Sequence, residues 1–170
     1  MDPNEAQVHV AAAVAAVWQG DLDAALASAE RCIALQPSST DGRRAKAAAQ
    51  IYMGRPKEAL ATIEAYMRFD PVYPEIALQF QAEALFLVGD YPETERILRS
   101  RLERNPEAAT AYELLAASLG LMGRTEEAAQ AWAQVMRLLH PSPSSAAAAS
   151  CRSATRPTSS AASRACAAPG

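Results

Sequence analysis

The stretch GRPKEAL at residues 54–60 is one of four similar phrases that together decide the fold. The others are GDLDAAL at residues 20–26, GDYPETE at residues 89–95 and GRTEEAA at residues 123–129. Their glycines lie 34, 35 and 34 residues apart, and a proline follows each of the first three glycines by 17 residues. Two independent marks in one register indicate a structural repeat of about 34 residues.

Each phrase predicts the turn of a helical hairpin. Glycine ends a helix at low cost because it tolerates a left-handed backbone, and Asp21, Asp90 and Thr125 follow as candidate caps of the next helix. Pro56 and Pro92 fit the first turn of a helix, where no N–H partner is needed. We therefore predict eight helices, near residues 5–19, 22–35, 40–53, 57–69, 74–88, 92–104, 108–122 and 125–139.

The composition agrees with packed helices. Half of the residues are hydrophobic, but only 6% are aromatic and alanine dominates. Alanine has the highest helix propensity, and its small side chain lets helices approach closely. We expect Ala25, Ala59 and Ala128 to be the points of closest approach within their hairpins, and the fold class to be all-α.

The turn phrases, the closing prolines and spacings such as Ala59 to Ile63 and Ala128 to Trp132 resemble the tetratricopeptide repeat (TPR) family. The resemblance implies a right-handed α-solenoid of four TPR-like helix–turn–helix hairpins over residues 5–141. The repeats would span about residues 6–39, 40–73, 75–108 and 109–142. It also implies a non-catalytic scaffold for protein–protein interaction.

In such a solenoid the first helices of successive hairpins line a concave groove. The repeat register predicts a groove of mixed character that would bind a peptide or a partner domain. The candidate groove residues are Val10, Val14, Arg44, Tyr52, Gln79, Glu83, Phe86 and Glu113, with Gln7, Ala48 and Ala117 beside them. Val10 and Val14 stand where carboxylate-clamp members of the family carry polar residues, so a terminal-carboxylate partner is not expected.

A narrower resemblance concerns the run MRFDPVYP at residues 67–74 and the run EALFLVGDY at residues 83–91. Both are similar to the C-terminal repeat region of bacterial class III adenylate or guanylate cyclases. This implies an alternative function, in which the chain is a regulatory segment, a fragment or a relative, of a bacterial cyclase signalling protein. Its partner would then be a missing catalytic domain of the same system.

The ends of the repeat region are unusually apolar. Residues 8–18 form an apolar stretch on nearly all sides of the first helix, and Met136 and Leu139 lie where a fifth hairpin would pack. Terminal repeats usually carry a polar outer face. Residues 142–170 then change to alanine, serine, proline and arginine, without aromatic or large aliphatic residues. Such a composition predicts a disordered tail.

No residue pattern indicates catalysis. Phosphate-binding, metalloprotease and serine-hydrolase motifs are absent from the sequence, and the three cysteines form no CxxC pair. We expect no enzyme activity, no catalytic residue, no metal and no cofactor. The formal net charge of −3 gives no basic surface for nucleic acid, and the longest apolar run is too short for membrane insertion. The N-terminus lacks a signal-peptide pattern, which predicts a cytoplasmic protein.

Overall fold

A computed structural model describes residues 3–70 and 72–140. All regular secondary structure in these two ranges is α-helical, and eight helices follow one another. They are α1 (Pro3–Gln19), α2 (Leu22–Leu35), α3 (Thr40–Tyr52), α4 (Pro56–Phe69), α5 (Ile76–Val88), α6 (Tyr91–Arg104), α7 (Ala109–Leu121) and α8 (Thr125–Leu139).

The helices pair into four hairpins that stack in chain order. α1 packs on α2, α3 on α4, α5 on α6 and α7 on α8, and the second helix of each hairpin packs on the first helix of the next. The all-α solenoid is confirmed, and every helix boundary lies within two residues of its predicted position. The repeat limits stay predictions, and the predicted tail at residues 142–170 lies outside the described residues.

The four turns share one conformation. Gly20, Gly54, Gly89 and Gly123 all have a left-handed backbone, with φ between 71° and 91°. In each turn the residue after the glycine donates its backbone N–H to the carbonyl five residues earlier, as Asp21 does to Ala16 at 3.0 Å and Arg124 to Leu119 at 2.9 Å. Identical turns give every hairpin the same register, so residues at one distance from a turn glycine are structurally equivalent.

The predicted caps are confirmed at two turns and wrong at the fourth. Asp21 and Asp90 accept the backbone N–H three residues on, at 3.0 and 3.2 Å. Thr125 is instead the first residue of α8, and Arg124 occupies the cap position without a side-chain cap bond. The guanidinium of Arg124 bonds to Glu127 and Glu95. The turn geometry fixes the cap one residue after the glycine, so Thr125 comes one position too late.

Small residues occupy the closest contact within the first three hairpins. Ala25 and Ala59 are completely buried, and Thr94 is buried at the equivalent position. The Thr94 hydroxyl donates to the carbonyl oxygen of Asp90 at 2.7 Å, which satisfies the polar atom within its own helix. Ala128, at this position in the last hairpin, is only partly buried.

One set of residues packs between consecutive hairpins. The position nine residues after each turn glycine forms what we call the interior row, which consists of Ala29, Ile63, Leu98 and Trp132. The first three are at most 1% exposed, because the following hairpin covers them. Trp132 is 52% exposed on the outer face of α8, where no described hairpin follows. Met136 and Leu139 are also exposed on this helix, as the sequence indicates.

Candidate functional site: the concave face

The first helices of successive hairpins also contact each other, α1 with α3, α3 with α5 and α5 with α7. Together these four helices form the concave face. Because the hairpins share one register, each helix contributes one residue to a row that crosses this face. Three rows matter here, at two, six and ten residues before the turn glycine.

The row nearest the turns consists entirely of large apolar side chains. We call it the apolar row, and its members are Trp18, Tyr52, Leu87 and Leu121. They are 86, 62, 52 and 59% exposed. Of these, only Tyr52 was among the candidates from sequence. The other three could have been found from the sequence, because all four residues stand two positions before a turn glycine. Large apolar side chains that recur at an exposed repeat position indicate an interaction surface.

The middle row contains one charge. Its members are Val14, Ala48, Glu83 and Ala117. Val14 is 38% exposed, and Glu83 is half-buried. The equivalent residues on both neighbouring helices, Ala48 and Ala117, are small and uncharged.

The third row is the most polar and the least accessible. Its members are Val10, Arg44, Gln79 and Glu113. Arg44 is half-buried and pairs with Asp41 at 3.3 Å, and Glu113 is exposed. The structure differs from expectation at two positions, because Val10 is 8% exposed and Gln79 is 6% exposed.

These two burials have separate causes. Val10 packs in a cluster with Ala6, Cys32 and Leu35, so α2 covers it from behind. Gln79 is buried because its amide is used inside the third hairpin: its oxygen accepts from Arg101, and its nitrogen donates to Glu83 at 2.8 Å. Neither side chain is open to a ligand as the sequence suggests. Gln79 instead positions Glu83.

Two adjoining clefts make the apolar row concave. The first has a volume of about 420 Å³ and is lined by Ile51, Tyr52, Glu83, Phe86, Leu87 and Leu114. The second has a volume of about 400 Å³ and is lined by Val17, Trp18, Gly20, Leu22 and Tyr52. Tyr52 lines both clefts, which lie on either side of it. Three sequence candidates, Tyr52, Glu83 and Phe86, meet in the first cleft.

A buried polar chain leads from the back of the third hairpin to this cleft. Arg101 is 4% exposed, and its guanidinium donates to Glu75, to Gln79 and, at 3.0 Å, to Thr110. Glu75 also accepts from Asn105 at 2.9 Å. The chain therefore runs from Glu75 through Arg101 and Gln79 to Glu83. It holds the Glu83 carboxylate in one orientation on the concave face.

The two carboxylates of this chain are shifted in opposite directions. Burial raises the pKa of Glu83, and the hydrogen bond from Gln79 and the charge of Arg101 offset this only in part. Burial also acts to raise the pKa of Glu75, but hydrogen bonds from Asn105 and Arg101 and the charges of Arg101 and Arg104 outweigh it, so the pKa falls. The Glu75 carboxylate is therefore neutralised by an ion pair with Arg101, whereas the charge of Glu83 is poorly compensated.

Other chemistry has little support on the described part of the chain. Residues 3–70 and 72–140 contain no group of three or more His, Cys, Asp or Glu side chains arranged to hold a metal ion. Among the same residues, none of the eight helices combines the length and the apolar character that a bilayer span requires. Cys32 is buried and donates its thiol to Ser39 at 3.4 Å.

Comparison with known proteins agrees with this architecture. Residues 16–84 match the model of the tetratricopeptide repeat family. This match agrees with the eight-helix solenoid and with the repeat register. It covers the end of α1 through most of α5, and so includes Trp18, Tyr52 and Glu83 from the concave face.

Solved structures share the TPR fold at low sequence identity. A thermophilic TPR protein of Thermus thermophilus is 17% identical, with a TM-score of 0.74 over 88% of this chain and 82% of its own. MamA from Desulfovibrio magneticus RS-1 is 18% identical, with a TM-score of 0.71 over 82% of this chain and 78% of its own. No curated protein gives a significant match. The comparisons do not show the narrower resemblance to cyclases, which stays a prediction.

Proposed function

We propose that this chain is a non-catalytic scaffold that binds a protein segment along its concave face. The observation that carries the proposal is the apolar row, four large side chains at one repeat position that are each more than half exposed. Large apolar side chains that line up on a surface mark interaction sites, whereas scattered ones do not. The clefts on either side of Tyr52 give this row the concave shape that a bound segment needs.

The row also indicates the spacing of the partner's side chains. Packed helices lie about 8–10 Å apart, so successive members of the row should be separated by steps of this order. A polyproline II segment rises about 3.1 Å per residue and repeats its face every three residues, which gives a step of about 9 Å. A partner with an apolar residue at every third position would therefore match the row, one residue for each hairpin.

Peptide selection tests this proposal. A library of linear peptides is selected on the wild-type chain, and enriched peptides are measured on a Tyr52→Asp/Leu87→Asp variant. Both side chains are more than half exposed, so this variant should fold, as its circular dichroism melt would verify. We expect enriched peptides to bind the wild type and to lose at least about tenfold in affinity on the variant, since two central apolar contacts become charged.

The matched control is Trp132→Asp/Met136→Asp on α8. These residues are 52 and 44% exposed, and the change adds the same two charges away from the concave face. We expect this variant to bind the enriched peptides like the wild type. If no peptide is enriched, or if the control weakens binding as much as the concave variant does, the concave face is not the binding surface.

A further inference from the structure

Glu83 is a charge placed in otherwise apolar surroundings. It lines the first cleft with Ile51, Phe86 and Leu87, and the equivalent residues on the neighbouring helices are alanines. It is half-buried and takes part in no ion pair with any described residue. A carboxylate at the middle of this cleft costs free energy in the unbound protein, because the hydrogen bond from Gln79 and the charge of Arg101 replace only part of the hydration that it loses.

The two carboxylate oxygens of Glu83 differ. Oε1 accepts a hydrogen bond from Gln79 at 2.8 Å, and Gln79 is itself fixed by the buried Arg101. Oε2 accepts no hydrogen bond from residues 3–70 or 72–140, so its lone pairs remain available at the cleft. The nearest cation along the buried chain, Arg101, is already engaged by Glu75 and Thr110. The protein thus orients this carboxylate and leaves one of its oxygens unused.

From this arrangement we infer that the first cleft is a specificity pocket for a lysine or arginine side chain of the bound segment. This inference rests on the proposed function and adds the chemistry of one partner residue. The cationic group pairs with Glu83 Oε2, and the aliphatic stem lies along Tyr52 and Phe86. Both residues line this cleft, and aromatic rings attract a cation through their ring electrons.

The other charges of the concave face support a basic residue in the partner. Arg44 pairs with Asp41 at 3.3 Å and forms no ion pair with Glu83. Glu113, at the next helix, adds a second acid to the same face. An acidic partner residue would be repelled here, and a neutral one would leave the half-buried Glu83 charge only partly compensated. The partner is therefore an apolar segment that contains one basic residue.

The test uses acetylated, amidated peptides with leucine at positions 1, 4 and 7 and glutamine elsewhere. One of the four intervening positions carries lysine, scanned in turn, and a parallel set carries norleucine, which has the same stem without the charge. Binding of dye-labelled peptides is followed by fluorescence anisotropy. At one scanned position we expect lysine to bind about tenfold more tightly than norleucine, because its ammonium makes a charge-assisted hydrogen bond to the half-buried carboxylate.

A Glu83→Gln variant decides whether the preference comes from this residue. Glutamine keeps the oxygen that accepts from Gln79 and replaces the charged Oε2 with a neutral amide NH2. We expect the lysine-to-norleucine ratio to fall close to one while the norleucine peptide keeps its affinity. Glu113→Gln, on the same face, should lower the ratio far less than Glu83→Gln does. Added salt should reduce the ratio for the wild type and leave it unchanged for Glu83→Gln.

The outcomes distinguish failure of the cation pocket from failure of the scaffold function. If the peptides bind but lysine has no advantage at any position, or if Glu83→Gln keeps the advantage, the pocket does not select a cation and the scaffold proposal stands. If no peptide of either set binds the wild type, both the scaffold proposal and the pocket are overturned. A preference that Glu113→Gln abolishes and Glu83→Gln leaves intact would move the cation site away from the first cleft.

Discussion

The interior row and the apolar row are made of similar side chains with opposite surroundings. Leu98 in the interior row is completely buried, whereas Leu87 in the apolar row, eleven residues earlier, is 52% exposed. Both positions recur once per hairpin. The difference is that the next hairpin covers the interior row, while no described residue covers the apolar row. A recurring apolar residue can therefore either pack between hairpins or lie exposed on a binding surface, and only the three-dimensional structure distinguishes the two cases.

The largest effect should come from placing a charge at the closest contact inside a hairpin. Ala59 is completely buried between helices, and we expect Ala59→Arg to cost more than about 4 kcal/mol, because a large cation is forced into a packed and dry site. A far-UV circular dichroism melt should show a loss of helical signal across the solenoid and a melting temperature well below that of the wild type. Ala61→Arg, on the exposed face of the same helix, is the control and should melt like the wild type. A wild-type melt for Ala59→Arg would contradict the helix packing described above.

The two leucines provide a direct comparison of the rows. Leu98→Ala removes a side chain from a cluster that includes Leu78, Leu115 and Leu119, and we expect a loss of about 3 kcal/mol in unfolding free energy. Leu87→Ala should change stability by less than about 0.5 kcal/mol and should weaken peptide binding instead. Urea titration measures the first effect, and anisotropy the second. Equal losses of stability for both variants would show that the apolar row packs within the fold.

The two carboxylates of the buried chain should respond to pH with opposite signs. Glu75 has a lowered pKa, so its stabilising contribution is present above the pKa of the unfolded chain and is lost as the pH falls through the folded pKa. Glu75→Gln should cost about 2 kcal/mol at pH 7, less than the full loss for a buried pair because the Glu75 side chain is 28% exposed. The difference from wild type should shrink toward pH 3.

Glu83 has a raised pKa, so its contribution to stability is present below the unfolded pKa and is lost as the pH rises through the folded pKa. Glu83→Gln should therefore be slightly more stable than wild type at pH 7, and the two should converge as the pH falls. Melting temperatures of both variants from pH 7 to pH 3 check these signs. A loss of stability for Glu83→Gln at pH 7 would mean that its charge already has a partner.

A small effect is also expected at the exception in the interior row. Trp132 stands at the position of Leu98 but is 52% exposed, so Trp132→Ala should cost less than about 1 kcal/mol. Chemical denaturation of this variant beside Leu98→Ala measures what the following hairpin contributes at an identical repeat position. A cost near that of Leu98→Ala would indicate that Trp132 is covered in solution.

The sequence predicts the fold well because the repeat signals are local. Glycine and proline act on the backbone within a few residues, so helix boundaries emerge without knowledge of tertiary contacts. The missed cap at Thr125 belongs to the same local level, where one residue of register decides which side chain reaches the helix end.

The concave face is harder to predict because exposure depends on neighbouring helices. The first helix is apolar on nearly all sides, so periodicity could not tell the buried Val10 from the exposed Trp18. Gln79 reads as a surface residue, and its burial depends on Arg101, which lies on another helix 22 residues away. The repeat register predicts Tyr52, Glu83 and Phe86 on the concave face, and all three line the first cleft.

The constancy of the four turns has a consequence for how binding preferences can change. Since each hairpin contributes one residue to each row, the concave face offers a bound segment one contact position per repeat in each row. Exchanging Leu87 or Ala48 changes one contact position and leaves the spacing of the other positions unchanged. A substitution on the concave face can therefore change the binding preference at one position, while the glycine turns keep the spacing between equivalent positions of successive hairpins.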